Sequence, residues 1–71
     1  MVEMQVVQSE TVEAVGYDPE AGELHVQYRS SPSPYIYQGV PAQVFEGLMA
    51  SATKGGFLHR EVINVYPFYR G

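Results

Sequence analysis

A chain of 71 residues without cysteine is long enough for one small domain and has no disulfide framework or thiolate metal site. Its net charge of −4 argues against a strong nucleic-acid binder, because such domains are usually basic. The first residues lack the basic and apolar segments of a signal peptide, and no apolar run is long enough to span a membrane. We therefore expect one cytoplasmic domain over residues 1–71, with flexible ends near 1–5 and 68–71.

Charge is distributed unevenly along the chain. Residues 1–53 contain seven acidic side chains and one basic side chain, Arg29, whereas residues 54–71 contain three basic side chains and one acidic side chain. This asymmetry either marks the basic end as a binding surface or reflects scattered, solvated charges.

The first part of the chain predicts antiparallel sheet. Residues 4–8 fit a short edge strand or an ordered arm. Residues 11–17 are rich in β-forming side chains, with Val12 and Ala14 on one face and Val15 near the other.

A turn and a second strand follow. Pro19 presets φ and Gly22 accepts positive φ, so residues 18–22 predict a tight turn. Apolar and polar residues then alternate over 23–29, which predicts a strand paired antiparallel with 11–17.

The next segment changes from strand to helix. After a Ser-Pro-rich loop at 30–34, residues 35–37 predict a short strand whose two tyrosines share a face. Pro41 fits the first position of a helix. Gly47 weakens that helix by about 1 kcal/mol unless a close contact requires it. The apolar face of the helix consists of Val44, Phe45, Leu48 and Met49.

The remaining residues allow two interpretations. Thr53 can cap a short second helix running to about Val62, although Gly55-Gly56 disfavour its first turn. Alternatively, the β-forming side chains of residues 57–66 form a final strand. We slightly favour the helix.

These elements predict an α+β domain. It consists of a bent antiparallel meander of three or four strands, an amphipathic helix, and a short C-terminal helix or strand. If residues 57–66 are a strand, the sheet would instead curl into a small Sm-like or SH3-like barrel.

An ordered set of short motifs runs through most of the chain. It comprises Gly16-Tyr17-Asp18-Pro19, Leu24 and Val26, Tyr35-x-Tyr37, Val40-Pro41, Lys54-Gly55, Phe57, Arg60, and Tyr66-Pro67. Over roughly residues 7–70 the chain resembles the KTSC domain, which is named for its place at the C-terminus of some lysyl-tRNA synthetases. KTSC domains also occur as stand-alone bacterial proteins, and the synthetase association implies RNA binding.

Departures from the KTSC pattern lie mainly in the second half. Thr53 stands where relatives usually have serine, Leu58-His59 where they have Phe-Asn, and Val62-Ile63 where they often have isoleucine followed by a basic residue. The loop before Tyr35 is rich in Ser-Pro where relatives have a tight glycine turn.

Aromatic and basic side chains supply the candidates for binding RNA or a partner. Tyrosine rings can stack on bases, and basic side chains can contact phosphates. The same tyrosines can instead pack on Tyr28 and the helix, and the basic groups can serve helix ends or solubility. The candidates are Tyr35, Tyr37, Lys54, His59, Arg60, Tyr66 and Arg70.

Catalytic motifs are lacking. His25 and His59 stand without cysteines or a carboxylate cluster, so they do not predict a metal site. The chain contains no nucleophile elbow, P-loop or dinucleotide fingerprint. We expect no enzyme activity and no cofactor.

Two functions therefore remain open. The first is a weak RNA-binding module that uses the aromatic-basic candidates. The second is a protein-interaction or self-assembling module, in which a strand edge or the apolar helix pairs with another protein or a second copy of the chain.

Overall fold

The computed structural model describes residues 2–71, and Met1 of the predicted flexible end lies outside that range. Five strands form one antiparallel sheet in chain order. They are β1 (Gln5–Val6), β2 (Val12–Asp18), β3 (Glu23–Tyr28), β4 (Tyr35–Tyr37) and β5 (Phe68–Arg70). Two helices, α1 (Ala42–Ala50) and α2 (Lys54–Glu61), lie between β4 and β5 in the chain. In residues 2–71, no helix combines the length and hydropathy that crossing a membrane requires.

The hairpin of β2 and β3 follows the prediction. Asp18 Oδ1 accepts hydrogen bonds from the backbone N–H groups of Glu20 and Ala21, at 3.0 and 3.3 Å. Gly22 adopts a φ of +67°, which costs a residue without a Cβ little. The turn residues thus fix the register that pairs Tyr17 with Leu24.

One detail of β2 differs from the predicted alternation. A register shift lies between Val12 and Ala14, and Val12 and Val15 both enter the hydrophobic core. A β-bulge adds one residue to a strand and thereby reverses the faces beyond it. The prediction that Val12 shares a face with Ala14 is therefore wrong.

The core lies between one face of the sheet and the two helices. Its completely buried side chains come from every part of the chain except the two ends. They are Val12, Val15, Leu24, Val26, Val40, Leu48, Leu58 and Val62.

The two helices meet at a glycine. A Cβ built on Gly47 of α1 would lie 3.1 Å from Cζ of Phe57 in α2. The close contact that would justify a glycine in mid-helix is therefore present. Pro41 is the N-cap of α1 rather than its first helical residue as predicted, since the helix begins at Ala42. Thr53 is the N-cap of α2, but its side chain makes no capping hydrogen bond.

The region after Thr53 resolves the two interpretations. Residues 54–61 are helical, so the expected helix is present and the strand over 57–66 is not. The Sm-like or SH3-like barrel depended on that strand and has no support in residues 2–71.

The predicted number of three or four strands is too low. Residues 68–70, taken as a tail from the sequence, pair with β4, with Tyr37 opposite Phe68 and Tyr35 opposite Arg70. The Gly71 N–H donates to the Pro34 carbonyl at 2.9 Å. The α+β class holds, with five strands and two helices in residues 2–71.

Candidate functional site

A cleft of about 630 Å³ is lined by residues of β3, β4, β5 and α2 and of the loops beside them. Its aromatic lining consists of Tyr28, Tyr35, Tyr37 and Phe68. Polar groups at its rim include Arg29, His59 and Asn64. We call this feature the aromatic cleft.

The sheet register assembles the aromatic lining. Tyr35 and Tyr37 alternate with Ile36 and so share a face of β4, and Phe68 lies opposite Tyr37. The ring of Phe68 stacks on Tyr35 with centroids 4.9 Å apart, and Tyr28 meets Tyr35 edge-on at 5.2 Å. These offset and edge contacts are the preferred geometries of aromatic pairs. The rings therefore form one continuous aromatic lining.

Two tyrosine hydroxyl groups in this lining bond to each other. The Tyr28 and Tyr37 oxygens are 2.8 Å apart, and Tyr37 is only 3% exposed. Burial raises the pKa of both phenols above the ordinary tyrosine value. The hydroxyl pair is thus neutral, and it offers a ligand both a donor and an acceptor.

Arginine side chains flank the aromatic cleft. The guanidinium carbon of Arg70 lies 4.6 Å from the centroid of the Tyr35 ring, and its Nη2 donates to Ser31 Oγ at 2.9 Å. Arg29 donates from Nε to the Ser9 carbonyl at 2.8 Å. Within residues 2–71, neither arginine forms an ion pair with a carboxylate.

The loop after α2 presents Asn64 to the aromatic cleft. Asn64 has a φ of +68°, in the left-handed region that asparagine tolerates better than most residues. The N–H groups of Val65 and Tyr66 both donate to the Val62 carbonyl, at 3.0 and 3.1 Å, and hold this turn. The result is an exposed amide side chain beside an aromatic lining.

The seven candidates from the sequence do not all lie at the aromatic cleft. Tyr35, Tyr37 and His59 line the aromatic cleft, and Arg70 contacts it through Tyr35. Arg60 is exposed on α2 and does not line it.

The two other candidates make contacts within the fold, outside the aromatic cleft. Lys54 Nζ donates to the Met49 carbonyl at 3.3 Å and to the Ser51 carbonyl, so this ammonium caps the end of α1. Tyr66 packs partly buried against the core and lies outside the lining of the aromatic cleft.

Sequence reasoning missed several residues of the aromatic cleft. Tyr28 was considered only as a packing partner, and Arg29 and Asn64 were not considered as binding groups, whereas Phe68 was noted only as part of the aromatic, basic end of the chain. Tyr28 had a signal, since it continues the apolar face of β3 to the end of the strand. The positions of Phe68 and Asn64 in the cleft depend on β5 and on the turn after α2, and the sequence predicted neither of these elements.

The two histidines lie in different surroundings. His59 lines the aromatic cleft, whereas His25 Nε2 lies 3.6 Å from Glu23 Oε1. In the part of the chain that the structure describes, no three His, Cys, Asp or Glu side chains group closely enough to hold a metal ion.

Comparison with known proteins identifies the family. The sequence model of the KTSC domain matches residues 8–66, which is most of the chain. The chain belongs to the KTSC domain family. The structure resembles that of a KTSC domain protein from Yersinia pestis, with a TM-score of 0.95 and 27% identity over 100% of this chain and 99% of the other.

A second relative of this chain is a protein from Tsukamurella paurometabola. It is 38% identical over 56 residues, which cover 79% of this chain and 82% of the relative, and its name states no activity. Neither name mentions a lysyl-tRNA synthetase. The comparisons thus show the KTSC family and give no support to an association with a lysyl-tRNA synthetase.

Proposed function

We propose that this KTSC domain is a non-enzymatic binding module that holds single-stranded RNA weakly, with unpaired bases in the aromatic cleft. The observation that carries the proposal is a neutral aromatic lining flanked by Arg29 and Arg70 on an otherwise acidic protein. The synthetase association of the family favours the same class of ligand. A cytoplasmic location is part of the proposal.

The lining suits a planar ligand. Stacking of a base on an aromatic side chain contributes about 1–3 kcal/mol and tolerates any base, because every base has a π face. The volume of about 630 Å³ lies in the range of small-molecule pockets. The paired hydroxyls of Tyr28 and Tyr37 can donate to or accept from a base edge, so they discriminate little between bases.

Local charge favours an anion despite the acidic composition. In the described residues, Glu10 is the only acidic side chain that lines the aromatic cleft. Arg29 lines it, and Arg70 covers Tyr35. Because two arginines outweigh one carboxylate, we expect RNA binding that is modest in affinity and weakened by salt.

The test is an NMR titration of the isotopically labelled full chain with short single-stranded RNAs at low and moderate salt. We expect amide shifts at Tyr35, Phe68 and Asn64 that diminish as salt increases. The variant Y35L removes the stacking surface and should lose most of the binding. The matched control Y66L removes an aromatic ring that lies outside the aromatic cleft and should bind as the wild type does.

Absence of shifts at low salt would reject this proposal, since electrostatic attraction is strongest there. Equal loss of binding in Y35L and Y66L would also count against it. That result would mean that folding, rather than stacking, controls binding.

A second candidate function, self-assembly or protein interaction, is favoured by the edge of the sheet. β1 pairs only with β2 in the described sheet, and Val6 on β1 is 83% exposed. An unpaired strand edge with an exposed apolar side chain can pair with another strand. Sedimentation velocity over a range of concentrations tests this function. The variant V6K should dissociate any dimer, whereas V65K, at an exposed valine outside the strands, should not.

A further inference from the structure

Two arginines lie on or contact one loop beside the aromatic cleft. Arg29 and Ser31 lie in the loop that follows β3, and both line the aromatic cleft. Ser31 Oγ accepts from Arg70 at 2.9 Å, so β5 brings a second guanidinium to the same loop. Arg29 and Arg70 are thus both associated with the loop after β3, in a chain with four lysine and arginine side chains in total.

Both guanidinium groups are oriented but incompletely used. A guanidinium carries five N–H donors. In residues 2–71, Arg29 uses one for Ser9 and Arg70 uses one for Ser31. The contact with the Tyr35 ring holds the Arg70 guanidinium in place and leaves its other N–H donors for further partners. Guanidinium groups with N–H donors left over are suited to phosphate oxygens.

Ser31 orients Arg70. Its hydroxyl donates to the Ser33 carbonyl at 2.8 Å while it accepts from Arg70. The one hydroxyl proton is therefore committed to the loop, and Ser31 acts as a positioning residue.

We infer that Arg29 and Arg70 form a phosphate-binding site at one end of the aromatic cleft, so that its ligand is a nucleotide unit with the base on the aromatic lining and the phosphate on the arginines. This inference rests on the proposed function and specifies the ligand. The competing role for Arg70 is to fasten β5 to Tyr35 without touching a ligand. Only a phosphate contact by Arg70 predicts that replacing Arg70 makes RNA binding less dependent on salt.

The experiment measures binding of a short fluorescent oligouridylate to the full chain by anisotropy over a range of NaCl concentrations. For single strands, each lost phosphate contact reduces the slope of log K against log salt by about 0.7. We expect that reduction in R29Q and again in R70Q. The matched control R60Q removes the same charge from an exposed position outside the aromatic cleft and should keep the wild-type slope.

Equal slopes in R29Q, R70Q and R60Q would overturn the phosphate site and leave RNA binding intact. Absence of wild-type binding would overturn the proposed function itself. If R70Q unfolds, R29Q with its lysine counterpart R29K decides the question. R29K keeps the charge, so it should bind between the wild type and R29Q.

A second titration separates a free nucleotide from an RNA strand as the ligand. Adenosine and adenosine monophosphate are compared by NMR with the wild type and R29Q. The phosphate should increase the affinity for the wild type and add little for R29Q. A monophosphate that binds more tightly than the oligouridylate would indicate a free nucleotide, whereas no gain from the phosphate would contradict the site.

Discussion

The hydroxyl oxygens of Tyr28 and Tyr37 lie 2.8 Å apart although their backbones are distant along the sheet. Tyr28 is the last residue of β3, whereas Tyr37 lies opposite Leu24, near the start of that strand. Tyr35 lies between them in the register, opposite Val26, and its ring contacts both neighbouring rings. The two outer side chains therefore lean toward each other across Tyr35. The hydrogen bond between Tyr28 and Tyr37 thus connects the side chains on the two sides of Tyr35 in the aromatic cleft.

Removal of one hydroxyl from this pair should cost more than removal of both. In Y37F, the partly buried Tyr28 hydroxyl loses its partner, which destabilises the fold by about 1 kcal/mol. The double variant Y28F/Y37F leaves no unpaired group and should recover part of that loss. Urea unfolding of the four proteins in this cycle measures the effect. Additive losses would contradict the role of the pair.

Alkaline pH should destabilise the fold through the same two tyrosines. Burial raises the pKa of Tyr28 and of Tyr37 above the ordinary value of 10.0. As the pH rises above about 10, the unfolded chain releases these protons first, so the free energy of unfolding falls. Below that pH both states are protonated and the contribution is fully present. Urea midpoints measured from neutral to alkaline pH should fall less steeply for Y28F/Y37F, and an identical fall would reject the assignment.

The glycine in α1 should resist a substitution that usually stabilises helices. Alanine in place of glycine in an exposed helix gains about 1 kcal/mol. In G47A the new methyl group would lie 3.1 Å from the Phe57 ring, so we expect a loss of stability instead. In the F57L background the same change should become favourable. Thermal unfolding of the two pairs measures this coupling, and a gain in the wild-type background would contradict it.

Lys54 should contribute to stability and play no part in the proposed RNA binding. Its ammonium bonds the Met49 and Ser51 carbonyls at the end of α1, where a cation also favours the helix dipole. K54M should lose about 1 kcal/mol of unfolding free energy. R60M on the same helix is the matched control and should lose less. A reduced salt slope for RNA in K54M would place Lys54 on the binding surface after all.

Local patterns predicted the parts of the fold that local residues determine. The turn at 18–22 and the alternation over 23–29 specify the β2–β3 hairpin, and the apolar spacing from Val44 to Met49 specifies α1. The bulge in β2 was not predictable in this way, because a shift of one residue leaves a β-rich composition unchanged.

The aromatic cleft depends on relationships that no short window contains. Tyr35 and Tyr37 were candidates from their shared face, whereas Phe68 joins them only through the pairing of β4 with β5. Asn64 lies in a left-handed turn that the sequence around it does not specify. Lys54 was a candidate for contact with RNA because it is basic, but its ammonium group donates to carbonyl groups at the end of α1.

The pairing of β4 with β5 encloses residues 38–67 and both helices, whereas the β2–β3 pair encloses four residues, 19–22. Closing a longer loop costs more entropy, and all three residues of β5 are exposed. We therefore expect β5 to detach in subglobal openings that leave β2 and β3 paired, with faster hydrogen exchange at Tyr69 than at Val26. Each opening removes the Phe68 wall and Arg70 together, so a bound nucleotide should slow exchange in β5 before it affects any other strand.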